Sequence, residues 1–205
     1  MSNQPTHFIN GNPIEEPFPE GLEQAIFGMG CFWGVERRFW ETPGVFTTAV
    51  GYAGGTIPEA SYQQVCSGRT GHAEVVLVVF EADRIGYDAL LRLFWENHDP
   101  TQGMRQGNDR GTQYRSAVFY ENDEQKQVAE AYIRQLNSAG VYDNPLVTTL
   151  EPLDAFYPAE DYHQNFAARN PHQPYIMAVA APKMEKLVDT FGDQLKPGYT
   201  DNNIA

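Results

Sequence analysis

The chain has 205 residues, 41% hydrophobic and 20% charged, with 14 basic against 27 acidic side chains for a formal charge of −13. That length suits one domain burying roughly 70% of the surface its unfolded form exposes. The charge repels phosphates, and with Arg37-Arg38 the only adjacent basic pair it argues against a nucleic-acid partner. No apolar run approaches the length that spans a bilayer. Two cysteines without paired spacing, and no N-terminal apolar leader, predict a protein of a reducing compartment, cytoplasmic by default.

Residues 1–23 are polar and carry Pro5, Pro13, Pro17 and Pro19, so an extended or disordered arm is expected there, ahead of a single catalytic domain over 24–195. Ala25-Ile26-Phe27 reads as a short buried strand ending at glycines. Phe32, Val35, Glu36, Phe39 and Trp40 then recur at helical spacing until Thr42-Pro43-Gly44 stops them. Val45 to Gly51 predicts a second strand. A glycine-rich loop follows, and "HAEVVLVVF", His72 to Phe80, is apolar and β-branched enough for a central strand. Tyr87, Leu90, Leu91, Phe94, Trp95 and His98 fall on one face of a helix broken by Asp99-Pro100.

A polar loop from Gly103 runs into a strand predicted over Gln113 to Tyr120. Asn122 can cap a helix to about Ser138, with Gly140 at its end. A strand over Leu146 to Leu150 and helices over Pro158 to Arg169 and Pro182 to Leu195 complete the reading, with a tail over 196–205. The order from Ala25 to Tyr120 is β-α-β-β-α-β, the split βαβ or ferredoxin-like α/β plait. The predicted class is therefore α+β, with an antiparallel-rich mixed sheet and extended terminal arms.

Three places carry chemistry. Cys31 in "GMGCFWGVE" falls where a strand ends and a helix begins, and a helix N-terminus favours a thiolate, so a depressed thiol pKa is expected. The plainer reading is a small apolar residue at a tight junction. Phe32 and Trp33 cannot both face the core, and an indole near the surface beside a thiol suggests a pocket wall. Glu74 is a lone carboxyl group in an apolar strand: at the strand's wet start it is an ordinary charge, but buried it stays protonated near neutral pH and can donate a proton. Asp109 and Tyr114, in "GMRQGNDRGTQYRS", and Tyr62, after "GGTIPEA", are a carboxylate and two phenols on loops, each readable as a turn or strand residue. His98 reads as a satisfied core histidine. His163 is placed to line a cleft, and His72, His98 and His163 show no zinc spacing with a cysteine.

Taken together, "GCFWGVE", "GYAGG", "YQQVCSGRTGHAEVV", "FWENHDPTQGMRQGNDRGTQYRSA" and "YPAEDYHQNF" resemble peptide methionine sulfoxide reductases of the A type over roughly Ala25 to Pro171. The resemblance implies reduction of methionine S-sulfoxide, in proteins and as the free amino acid. It implies Cys31 as nucleophile, Glu74 as acid, and Tyr62 and Tyr114 as donors to the sulfoxide oxygen. Phe32 and Trp33 match the walls of the methyl pocket, and Asp109 and His163 border the cleft. A sulfoxide needs a soft nucleophile at sulfur and a proton at oxygen, so those roles are chemically coherent. No bound cofactor is implied. An external thiol, from thioredoxin, glutaredoxin or a small molecule, would reset a Cys31 sulfenic acid, because the C-terminal region lacks the resolving cysteine that many members carry and only Cys66 remains. Oxidised proteins or peptides and a thioredoxin-like reductant are the expected partners of an expected monomer.

Two other readings compete. One is a thiol hydrolase with Cys31 as nucleophile, His72 or His163 as base and Asp109 as its orienter. The other is a non-catalytic binding module switched by a Cys31–Cys66 disulfide.

Overall fold

The computed structural model describes residues 4–180. In chain order they form β1 (Leu22–Met29), α1 (Phe32–Trp40), β2 (Val45–Ala53), α2 (Tyr62–Cys66), β3 (Ala73–Glu81), α3 (Tyr87–Glu96), β4 (Arg105–Gln106) and β5 (Asp109–Arg110). After a 3-10 turn at Thr112–Tyr114 come β6 (Ser116–Tyr120), α4 (Asp123–Ala139), β7 (Thr149–Pro152), β8 (Phe156–Pro158), α5 (Phe166–Arg169) and α6 (Pro174–Ala180). The class is α+β. Six strands make a mixed sheet in the order β7-β6-β1-β3-β2-β8, antiparallel throughout except for the β6–β7 pair.

The apolar run of β3 follows from its position between β1 and β2 with both faces covered. On one face Phe27, Val76, Val78 and Phe80 meet Phe32 and Phe39 of α1 and Leu90, Leu91 and Phe94 of α3. Phe27 stacks on Phe39 at 5.3 Å between centroids, which pins α1 to the sheet; truncating such a core phenylalanine to alanine costs about 3–5 kcal/mol. On the other face Val75, Leu77 and Val79 lie under Ile14 and Phe18, so the N-terminal arm covers that side of the sheet. His7 and Asn12 tie that arm to β2 through Thr48 Oγ1, at 3.1 Å, and the Phe46 carbonyl.

Several elements differ from the sequence reading. β1 is longer than its apolar centre because its polar half, Leu22 to Gln24, still pairs with Val79 to Glu81. The polar loop after Gly103 contains the β4–β5 hairpin, two residues a side, and Tyr114 lies in the 3-10 turn rather than in β6. The strand expected over Leu146 to Leu150 starts at Thr149. The helix expected over Pro158 to Arg169 is only α5, because Pro158 closes β8 and Asn165, at φ 54°, breaks the helical run. α2, α6 and β8 were not predicted. The helix expected over Pro182 to Leu195 and the tail after it lie outside the described residues. Among the described residues no helix is long and apolar enough to cross a membrane.

Candidate active site

Cys31 is the N-cap residue of α1 and is partly exposed. Gly30 before it sits at φ +89°, and a Cβ there would fall 2.6 Å from Gln106 Cβ, so the β1–α1 turn presses against the β4–β5 hairpin. Cys31 makes no side-chain capping bond. Glu74 fills that role from β3: the Phe32 backbone N–H donates to Glu74 Oε2 at 3.1 Å. Glu74 is 1% exposed, on the helix-bearing face of β3 and opposite Tyr52 of β2. Burial pushes its carboxyl up to about 8, opposed by the Phe32 N–H and reinforced by Asp109. It is therefore mostly protonated at neutral pH.

The acidity expected for Cys31 is corrected here. Burial, followed by the negative charges of Glu74 and Asp109, holds the thiol well above its ordinary pKa, while the Tyr175 hydroxyl and the Trp33 backbone N–H pull the other way. The helix start is present, but its Phe32 N–H is engaged by Glu74. The resting group is a thiol.

Around it the structure gathers the remaining residues singled out in the sequence. Phe32 is 1% exposed, whereas Trp33 is half-buried and stacks on Phe166 at 3.9 Å between centroids. The indole N–H donates to His163 Nδ1 at 3.0 Å, which leaves the His163 proton on Nε2; that ring touches Phe32 and Tyr62. Tyr62 opens α2 behind a Ser61–Gln64 capping box, with its hydroxyl near Cys66. The Tyr114 phenol is pushed up by burial and by the charges of Glu74, Cys31, Cys66 and Asp109 in turn. Asp109 is reached through Tyr175, whose hydroxyl donates to Asp109 Oδ2 at 2.5 Å and lies near Cys31.

Sequence reasoning missed Tyr175, and with it Glu160, which accepts from the Tyr52 hydroxyl at 3.0 Å and the Tyr62 N–H at 2.9 Å. Glu160 stood three residues before His163 in a motif already singled out, and that proximity was the available signal. The histidine arrangement of a thiol hydrolase is not formed. His72 accepts from the Gly55 N–H and bonds the Ile57 carbonyl, and the Nδ1 of His163 is taken by the Trp33 indole. His98 bonds the Phe94 carbonyl and Ser116 Oγ, as a satisfied core histidine does. Cys31 and Cys66 are both free thiols.

A thiol at a helix start beside a buried, protonated carboxyl group and phenols, with the neighbouring His163 imidazole engaged by Trp33, on an α+β sheet is an arrangement suited to a thiol-dependent oxidoreductase. The family model described as "Peptide methionine sulfoxide reductase" matches residues 23–195. Peptide methionine sulfoxide reductase MsrA 1 of Synechocystis sp. is 55% identical over 170 residues, which cover 81% of this chain and 76% of that protein. The structure of methionine sulfoxide reductase A of Corynebacterium diphtheriae superposes with a TM-score of 0.73 at 40% identity, over 84% of this chain and 86% of that one. Reduced Mxr1 of Saccharomyces cerevisiae gives 0.69 at 34% identity, over 77% and 91%, and Mxr1 has also been crystallised in complex with Trx2. This chain belongs to the MsrA family of peptide methionine sulfoxide reductases and is a peptide-methionine (S)-S-oxide reductase.

Proposed function

We propose that Cys31 Sγ attacks the sulfoxide sulfur while Glu74 gives its proton to the departing oxygen. Attack forms a transient bond between Sγ and the sulfoxide sulfur; as the protonated oxygen shifts to Sγ, that bond and the sulfur–oxygen bond of methionine sulfoxide both break, leaving Cys31 as a sulfenic acid and methionine reduced. The thiol proton restores the Glu74 carboxyl, so the balance is one thiol and one sulfoxide to one sulfenic acid and one thioether. Tyr62 and Tyr114 donate to the oxygen, Phe32 and Trp33 wall the methyl group, and Asp109 and His163 border the cleft. The contact that carries this reading is the Phe32 N–H to Glu74 bond, because it holds a buried acid at the helix start that presents the thiol. Protonated Glu74 serves twice: it supplies the proton, and being neutral it removes the largest charge opposing a thiolate at Cys31.

An external thiol then resolves the sulfenic acid, since Cys66 is the only other cysteine of the chain. Thioredoxin is the first candidate, in keeping with the Trx2 complex of yeast Mxr1. Two free thiols fit a reducing compartment such as the cytoplasm, and the split βαβ order fits one catalytic domain over 24–195. The test is one turnover of Glu74→Gln and Glu74→Ala on methionine S-sulfoxide. The amide can keep the Phe32 contact but has no acidic proton to release, so both should fall about 10²–10⁴-fold. Parental rates in both would leave Glu74 a structural acid.

A further inference from the structure

Cys31 has a second approach. A groove of about 460 Å³ reaches it along the side of α1 that carries Gly34, Val35 and Arg38, between Asn108 of the β4–β5 turn and Ala178 of α6. Its volume is in the range of small-molecule sites. Among the described residues, Phe32, Trp33, Tyr62, Glu74 and Tyr114 are not in its wall; it shares with the substrate-side cluster only Cys31, Asp109 and Tyr175.

The stereochemistry of resolution gives this separation a use. When a thiolate attacks a sulfenic acid, the new sulfur–sulfur bond forms as the sulfur–oxygen bond breaks, and substitution at sulfur runs in line, so the nucleophile arrives away from the leaving oxygen. On the reading above, that oxygen is held by Tyr62, Tyr114 and Glu74, which crowd the side from which it came. The groove reaches Cys31 along a wall that, among the described residues, lacks those groups.

We infer that this groove admits the reductant thiol to the Cys31 sulfenic acid. The inference rests on the proposed mechanism. One thiol forms a mixed disulfide with Cys31, and the oxygen leaves as water, carrying the sulfenic acid's own proton and one from Glu74, which takes the attacking thiol's proton in return. A second thiol releases Cys31 as the free thiol and departs with the first as a disulfide. The shared chemistry is an unhindered thiol on a narrow carrier, whether a small molecule or an exposed protein cysteine.

The test fills the groove from its rim. Ala178 and Asn108 are exposed and outside the substrate-side cluster, so Ala178→Trp and Asn108→Trp narrow the groove independently. In a Cys66→Ser background, one turnover without reductant is followed by addition of glutathione in one arm and reduced thioredoxin in the other. Methionine formation in the first turnover should stay within twofold of the parent, while consumption of the Cys31 sulfenic acid slows at least tenfold in one or both arms. Slowing by glutathione alone, thioredoxin alone or both identifies the carrier the groove admits. Parental recycling with both reductants in both variants would overturn the inference. So would equal slowing of first turnover and recycling, since the groove would then belong to the substrate site. If the parent forms no Cys31 sulfenic acid, the proposed mechanism fails and the groove's role fails with it, a result distinct from either of those.

Discussion

The Phe32 N–H and the Glu74 carboxyl are 3.1 Å apart, so the first turn of α1 holds the acid and presents the thiol at once. The pH dependence follows from it. Glu74 must be protonated to act, and burial sets its carboxyl at about 8. The rate of methionine formation in a single turnover should hold up to neutral pH and fall as pH rises through about 8. A rate that climbs steadily past pH 9 would mean that thiol ionisation, not Glu74, controls the step.

Tyr175→Phe removes a hydroxyl that donates to Asp109 and lies near Cys31, toward which it can turn when the thiolate forms. Hydrogen bonds to charged groups are worth about 1.5–3 kcal/mol, roughly ten- to a hundredfold in rate if the bond acts on the thiolate as it attacks. Because that hydroxyl pulls the Cys31 pKa down, the variant should also be alkylated only at higher pH than the parent. An unchanged alkylation profile would make Tyr175 a packing residue.

How far the site was legible depended on whether its signal was local. Glu74 stood out because a carboxyl group is foreign to a run such as Val75 to Phe80, and Cys31 because glycines flank it. Tyr175 did not. It sits in a seven-residue helix too short for periodicity, and it reaches Cys31 only through the tertiary fold. The thiol's acidity runs against the sequence reading for the same reason: the helix start is visible in sequence, whereas the burial that outweighs it, and after it Glu74 from β3 and Asp109 from the β4–β5 hairpin, comes from the tertiary fold. Long elements such as α3 and α4 were readable from stripes and caps, while the two-residue strands β4 and β5 and the three-residue β8 offered no period to read.

Glu36, fully buried on α1, accepts from Thr48 Oγ1, Asn165 N and Asn165 Nδ2, which joins α1 to β2 and to the turn before α5. Burial raises its carboxyl to about 8, above the ~4.3 of an unfolded glutamate. A raised folded-state pKa means that this stability is full below the unfolded value and is lost as pH rises through about 8. Glu74 acts in the same direction. Thermal melts at pH 6 and pH 9 should show a smaller drop for Glu36→Gln than for the parent; an equal drop would place the pH dependence elsewhere.

His163 orients the indole of Trp33 through a 3.0 Å bond from Trp33 Nε1. His163→Phe leaves that N–H unpaired and the methyl wall loose, so KM for a methionine sulfoxide peptide should rise about three- to tenfold, on the scale of one neutral hydrogen bond. The change in kcat should be smaller. A loss confined to kcat would instead assign His163 to the chemical step.

The most direct measurement is one turnover of the parent and Cys31→Ser enzymes with excess methionine S-sulfoxide, no thiol reductant and a dimedone-type trap. The parent should form about one methionine per enzyme and carry the trap on Cys31, with Cys66 still free, while Cys31→Ser forms none, since a serine hydroxyl cannot take the place of the sulfenic acid. Methionine formation by Cys31→Ser, or a parent that completes the turnover without an oxidised Cys31, would contradict a mechanism that runs through this thiol.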